Sequence, residues 1–136
     1  MDEETIINLL LDLTNNHGLT WYRPIGEDGK EIGGTFERYC TELPQQKGLV
    51  FFVGKSLIHD DLYSFICHDG EKIAFSMVSK EMKNKYLLRS LYDTASEIVR
   101  QKALNYVGKI LQSQINNPHP QADLKSSSGD NAKPSS

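Results

Sequence analysis

Residues 62–78 read LYSFICHDGEKIAFSMV. Two β-prone runs, Leu62–Cys67 and Lys72–Val78, flank His68-Asp69-Gly70-Glu71. An Asp-Gly pair between such runs is a strong hairpin signal. A type I′ turn on Asp69-Gly70 sets Ile66 opposite Ile73, Ser64 opposite Phe75 and Leu62 opposite Met77. That register predicts a core face of Leu62, Ile66, Ile73, Phe75 and Met77, covered by a helix. Tyr63, Phe65, Cys67, Ala74 and Ser76 then line the other face. A slip of one residue would exchange the two faces.

Upstream of the hairpin the chain reads as further strands behind a short helix. Leu49–Val53 is a continuous apolar run, the mark of a strand covered on both sides. Pro44-Gln45-Gln46-Lys47-Gly48 separates it from Thr35–Leu43, where Phe36, Arg38 and Cys40 alternate with Glu37, Tyr39 and Thr41. Leu19–Ile25 is extended, and Pro24 makes it an edge or a strand end. Asp28-Gly29 is a second hairpin signal. At the N-terminus Asp2 is placed to cap a helix whose first turn holds Glu3 and Glu4. Ile6, Leu9, Leu10 and Leu13 fall on one helical face, and Gly18 ends it.

Downstream, Ser79 is a candidate cap, and no proline intervenes from Lys83 to Ile115. Leu87, Leu88, Leu91, Ala95, Ile98, Val99, Ala103, Tyr106, Val107, Ile110 and Leu111 form a long apolar stripe. One helix over this span would be roughly 45–50 Å long, longer than so small a domain is wide. Either it breaks near Arg100 or Gly108 into a helix pair, or its far end meets a second subunit. The second choice makes Ile98, Val99, Leu104, Val107, Ile110 and Leu111 a dimer interface, because a monomer would leave the stripe in water. The expected fold is α+β: a short N-terminal helix, an antiparallel sheet of about four to five strands, and a long C-terminal helix or helix pair. It occupies residues 1–115 as a single domain. Residues 116–136 are a polar tail, too poor in apolar side chains to offset their ordering entropy, and are expected to be disordered.

Composition bounds the functional classes. The chain has 136 residues, 38% hydrophobic and 24% charged, with a formal net charge of −3. That is one ordinary globular domain, with no bulk basic excess for nucleic acid. Charge is uneven: residues 1–47 carry nine acidic side chains against four basic, and residues 79–112 carry seven basic against three acidic. The two cysteines, Cys40 and Cys67, are far apart and read as free thiols of a reducing compartment. The acidic opening is unlike a signal peptide. No apolar run reaches the roughly 18 residues of a membrane span. The expected location is cytoplasmic, with no membrane association.

No catalytic or metal set emerges, and no cofactor is implied. His59-Asp60-Asp61 and Cys67-His68-Asp69 bracket one strand, on the order of 20 Å apart at about 3.3 Å per residue. Zinc ligands converge within about 2.3 Å of one ion, so the triplets do not form one site. Cys67 and His68, adjacent on a strand, point to opposite faces and make no dyad. Gly26-Glu27-Asp28-Gly29-Lys30-Glu31 lacks the Ser or Thr and the following helix of a phosphate loop.

Two surface candidates remain. Trp21, Tyr22 and Arg23 could stack on a nucleotide-like ligand and pair with its phosphate, or Trp21 is core with Arg23 at its rim. The basic helix presents Lys80, Lys83, Lys85, Arg89 and Arg100 to an anion or an acidic partner. The order helix–strands–helix, with Asp69-Gly70-Glu71-Lys72 and then Ser79-Lys80-Glu81 ahead of a helix, resembles the smaller Alu-domain proteins of the signal recognition particle. The resemblance covers about Tyr63–Leu91 and implies RNA binding on a basic sheet face. The chain departs from it with Phe65-Ile66-Cys67-His68 where that face is basic, and with an acidic overall charge. The functional expectation is therefore a non-enzymatic interaction protein: an adaptor, chaperone-like or inhibitory module, homodimeric through its C-terminal helix. The alternative is a small-ligand or nucleic-acid binding module using Trp21, Tyr22, Arg23, Lys85, Arg89 and Arg100. An enzyme of unknown class stands third.

Overall fold

The first helix, α1, runs Glu3–His17 in the computed structural model, which describes residues 1–25 and 34–117. The Asp28-Gly29 hairpin and the 118–136 portion of the tail lie outside the described residues. Asp2 caps α1 by accepting from the Thr5 N–H at 2.9 Å, and Gly18 closes it at φ 73°. The buried face is Ile7, Leu10 and Thr14, one residue round from the expected stripe, and Leu9 is exposed. Thr14 can occupy the interior because its hydroxyl is satisfied twice: it donates to the Leu10 carbonyl (2.7 Å) and accepts from Trp21 Nε1 (3.0 Å). Leu19–Ile25 forms no strand of its own. It meets the sheet at a bridge where Tyr22 and Cys40 exchange backbone bonds of 2.9 and 2.8 Å.

Among the described residues four strands follow as an antiparallel meander, β1 (Phe36–Leu43), β2 (Gln46–Ser56), β3 (Tyr63–Asp69) and β4 (Lys72–Val78), in spatial order β1-β2-β3-β4. The connection expected over 44–48 shrinks to Pro44-Gln45, because Leu43 pairs with Gln46 across a bulge. Glu42 accepts from the Gly48 N–H at 2.7 Å beside it. Phe51 and Val53 of β2 are buried on the helix side, while Val50 and Phe52 on the other face are half-buried.

The β3–β4 register corrects the hairpin expectation. Asp69 pairs with Lys72, so the turn residues are Gly70 and Glu71. Positive φ falls on Gly70 (66°) and not on Glu71, the pattern of a glycine-first two-residue turn rather than type I′. The shift turns Tyr63, Phe65 and Cys67 inward and Ile66 outward. Ile73 is 59% exposed. A bulge then lets Cys67 pair with Phe75 although His68 pairs with Ile73. The extra residue, Ala74, returns Phe75 and Met77 to the core side.

Ser79 does not cap the second helix. Its hydroxyl accepts from the Tyr63 N–H (3.1 Å) and donates to the Asp61 carbonyl (3.3 Å), fastening the start of β3 to a 3-10 turn over Ser79–Glu81. Helix α2 spans Lys85–Asn116 without a break at Arg100 or Gly108, so it is one helix and not a pair.

The chain divides into two compact units, Met1–Arg100 and the part from Gln101 onward. In the first unit, Ile7 and Leu10 of α1 and Leu88, Leu91, Tyr92 and Ala95 of α2 share the core with Trp21, Tyr39, Phe51, Val53, Tyr63 and Phe65. On the opposite sheet face, Arg38, Gly54, Ser64 and Val78 lie in one row across the strands. A Cβ at Gly54 would come within 2.9 Å of Arg38 Cγ and 3.0 Å of Ser64 Oγ, so glycine there lets the arginine stem cross the sheet. In the second unit, every described residue, 101–117, is exposed.

Candidate functional site

The aromatic–arginine triplet resolves into three environments. Trp21 is fully buried, so its ring offers no face to a ligand. Tyr22 is 46% exposed, and burial pushes its hydroxyl up to about 12. Arg23 is committed within the protein. Its guanidinium donates to Glu37 at 3.1 Å and sits 5.4 Å above the Tyr39 ring. The Tyr92 hydroxyl donates to the other oxygen of Glu37. That bond, then Arg23, holds the Glu37 carboxyl below its usual range, while burial and then Glu37 push Tyr92 up. The cluster ties the extended segment, β1 and α2 together within the first unit.

The basic candidates are brought together only in part. Lys85 and Arg89 line a hollow of about 40 Å³ with Asp61, Tyr63 and Tyr86. Small-molecule pockets run to roughly 300 Å³ and more, so this space holds no nucleotide. Arg89 pairs with Asp93 at 3.8 Å, and Arg100, further along the helix, pairs with Glu97 at 3.4 Å. Arg100, Trp21, Tyr22 and Arg23 are not part of that lining.

Nucleophile and metal chemistry find no support among the described residues. Both cysteines are free and buried, and burial pushes the Cys40 thiol up to about 11 and raises Cys67 as well. A thiol so raised is protonated at neutral pH and is a poor nucleophile. No group of three His, Cys, Asp or Glu side chains is placed to hold a metal ion.

The interface candidates divide sharply. Ile98 and Val99 are half-buried against the core of the first unit. Leu104, Val107, Ile110 and Leu111 are between 44% and 59% exposed, and Tyr106 and Ile115 more so. At about 100° per residue, Leu104, Val107, Leu111 and Ile115 fall within an arc of roughly 80°. One flank of that arc carries the amides Gln101, Asn105 and Gln112. Lys102 and Lys109, the charged residues of 101–117, fall on the opposite side of the helix. The sequence held a signal for this seam that the single stripe obscured. The spacing Leu88, Leu91, Ala95, Ile98 next reaches Lys102, while a separate spacing begins at Leu104 and runs to Ile115.

Comparison with known protein families, with curated proteins and with solved structures finds no match. No helix among the described residues is long and apolar enough to cross a membrane.

Proposed function

We propose that the chain is a non-enzymatic interaction protein that works as a homodimer, joined through the α2 segment Leu104–Ile115. The observation that carries the reading is the apolar seam on a helical segment exposed along its whole described length. A seam of this kind at 3–4 spacing is the pattern of helix–helix pairing.

The occupant best suited to it is a second copy of the same segment. Its flanking amides each donate and accept, so they complement themselves across a twofold axis, as no single-sign charge can. The lysines lie on the far side, where they do not repel a copy. The seam is only about three turns long, so association depends on protein concentration. A buried Glu is costly in such a seam.

Native mass spectrometry of the wild type, Leu111→Glu and Lys102→Glu tests the reading. The expected result is a dimer for the wild type and for Lys102→Glu, and a monomer for Leu111→Glu that circular dichroism shows to be folded. Equal masses for all three proteins would refute it.

A further inference from the structure

β4 ends the sheet, and among the described residues no strand pairs with its outer side. The Val78 N–H is bonded by the Glu81 carboxylate at 3.1 Å, so it points away from β3. By the two-residue period of a strand, the Ser76 N–H points the same way. Ser76 is exposed. Its outward backbone groups are a template for another strand.

Two hollows flank this stretch and share Ser76, Met77 and Glu81 as a common wall. The larger, about 520 Å³, gathers Asp2, Glu3, Glu4 and Glu81 against Lys83. Three of its carboxylates are held in place by backbone bonds: Asp2 by Thr5, Glu4 by Asn84 and Glu81 by Val78. The smaller, about 280 Å³, lies on the sheet face turned away from the helices and is lined by Phe36, Ile66 and Val78 beside Arg38 and Ser64. Ser64 is 5% exposed, and its hydroxyl has no hydrogen-bond partner. A buried hydroxyl in that state is uncommon and suits a site completed by a ligand group.

We propose that β4 takes up an extended, basic segment of a partner protein as an added strand. Side chains of an added strand alternate between the two faces. One set enters the acidic hollow, which selects Lys or Arg. The next set enters the apolar hollow, where Ser64 meets a polar atom of the guest. Main-chain bonds to β4 supply affinity and the two hollows supply specificity, the division found in strand-addition recognition generally. The Glu81 carboxylate, seated on the Val78 N–H, marks where the added strand stops. The proposal involves the first unit alone and does not rest on the dimer reading.

Fluorescence polarisation with two labelled peptides tests it, one alternating Lys and Val, the other Glu and Val. The Lys-Val peptide is expected to bind the full-length protein, more weakly as salt rises, and the Glu-Val peptide is expected not to bind. Ser76→Pro removes the outward donor on an edge strand that tolerates proline, and should weaken binding by about tenfold or more. Glu3→Lys, on an exposed side chain, should weaken it by about threefold. Thermal melts establish that each variant is folded; if Ser76→Pro is not, the Glu3→Lys result decides. Four outcomes would overturn the proposal: no binding of the Lys-Val peptide, equal binding of both peptides, unchanged affinity in folded variants, or a loss of self-association in Ser76→Pro. The last would assign the edge to a second copy.

Discussion

At Glu37 one carboxylate joins three elements. It accepts from Arg23 on the extended segment and from Tyr92 on α2 while standing on β1. None of this was legible locally, since the three residues lie far apart in sequence and only the fold brings them together. The choice posed for Trp21 was legible, and the interior environment is the one adopted, with Thr14 as the polar partner an indole N–H requires. The Glu37 carboxyl is held below its usual range by Tyr92 first and Arg23 second. A depressed carboxyl contributes stability that is present above its unfolded-state pKa and lost as pH falls through the folded-state value. Tyr92→Phe is therefore expected to lower stability at neutral pH by about 1 kcal/mol, the scale of one hydrogen bond. The difference should shrink as pH drops below the carboxylate range. Urea denaturation at a series of pH values checks this; a gap that stays constant with pH would mean that Glu37 is not the group concerned.

Among the elements, those with strong local punctuation were the legible ones. Asp2 and Gly18 bound α1 as expected, because capping is a local matter of one side-chain acceptor and one positive φ. The hairpin was legible as a hairpin and misread in register. Asp69-Gly70 and Gly70-Glu71 are both acceptable two-residue turns, and the choice belongs to packing. The adopted register buries Tyr63 and Phe65, larger than the Leu62 and Ile66 of the alternative, and the bulge at Ala74 keeps Phe75 inside. A bulge leaves no signal in an alternating pattern until both strands are seen paired. Gly70 now carries the turn at φ 66°. Gly70→Ala is expected to cost about 1 kcal/mol, from the left-handed conformation alone, as no atom lies within 4 Å of the added Cβ. Chemical denaturation measures it, and a cost near zero would mean that the turn can adopt another conformation.

For the whole molecule, the fold class is written in the sequence and the role is not. The order of a short helix, a four-stranded antiparallel sheet and a long helix is as expected, because apolar periodicity reports it directly. The sequence left open a break of α2 at Arg100 or Gly108; the helix runs through both, with no proline from Lys83 to Ile115 to interrupt it. What periodicity could not show is which apolar residues the core would consume. The first unit takes up Leu88, Leu91, Tyr92 and Ala95, with Ile98 and Val99 half-buried, while Leu104 through Ile115 remain in water. The homodimer claim rests on that remainder. Sedimentation equilibrium of the wild-type protein over a wide concentration range tests it most directly. A homodimer gives an apparent mass that climbs from the 15.4 kDa of one chain toward twice that value. A mass that stays at the monomer value at every concentration would contradict it.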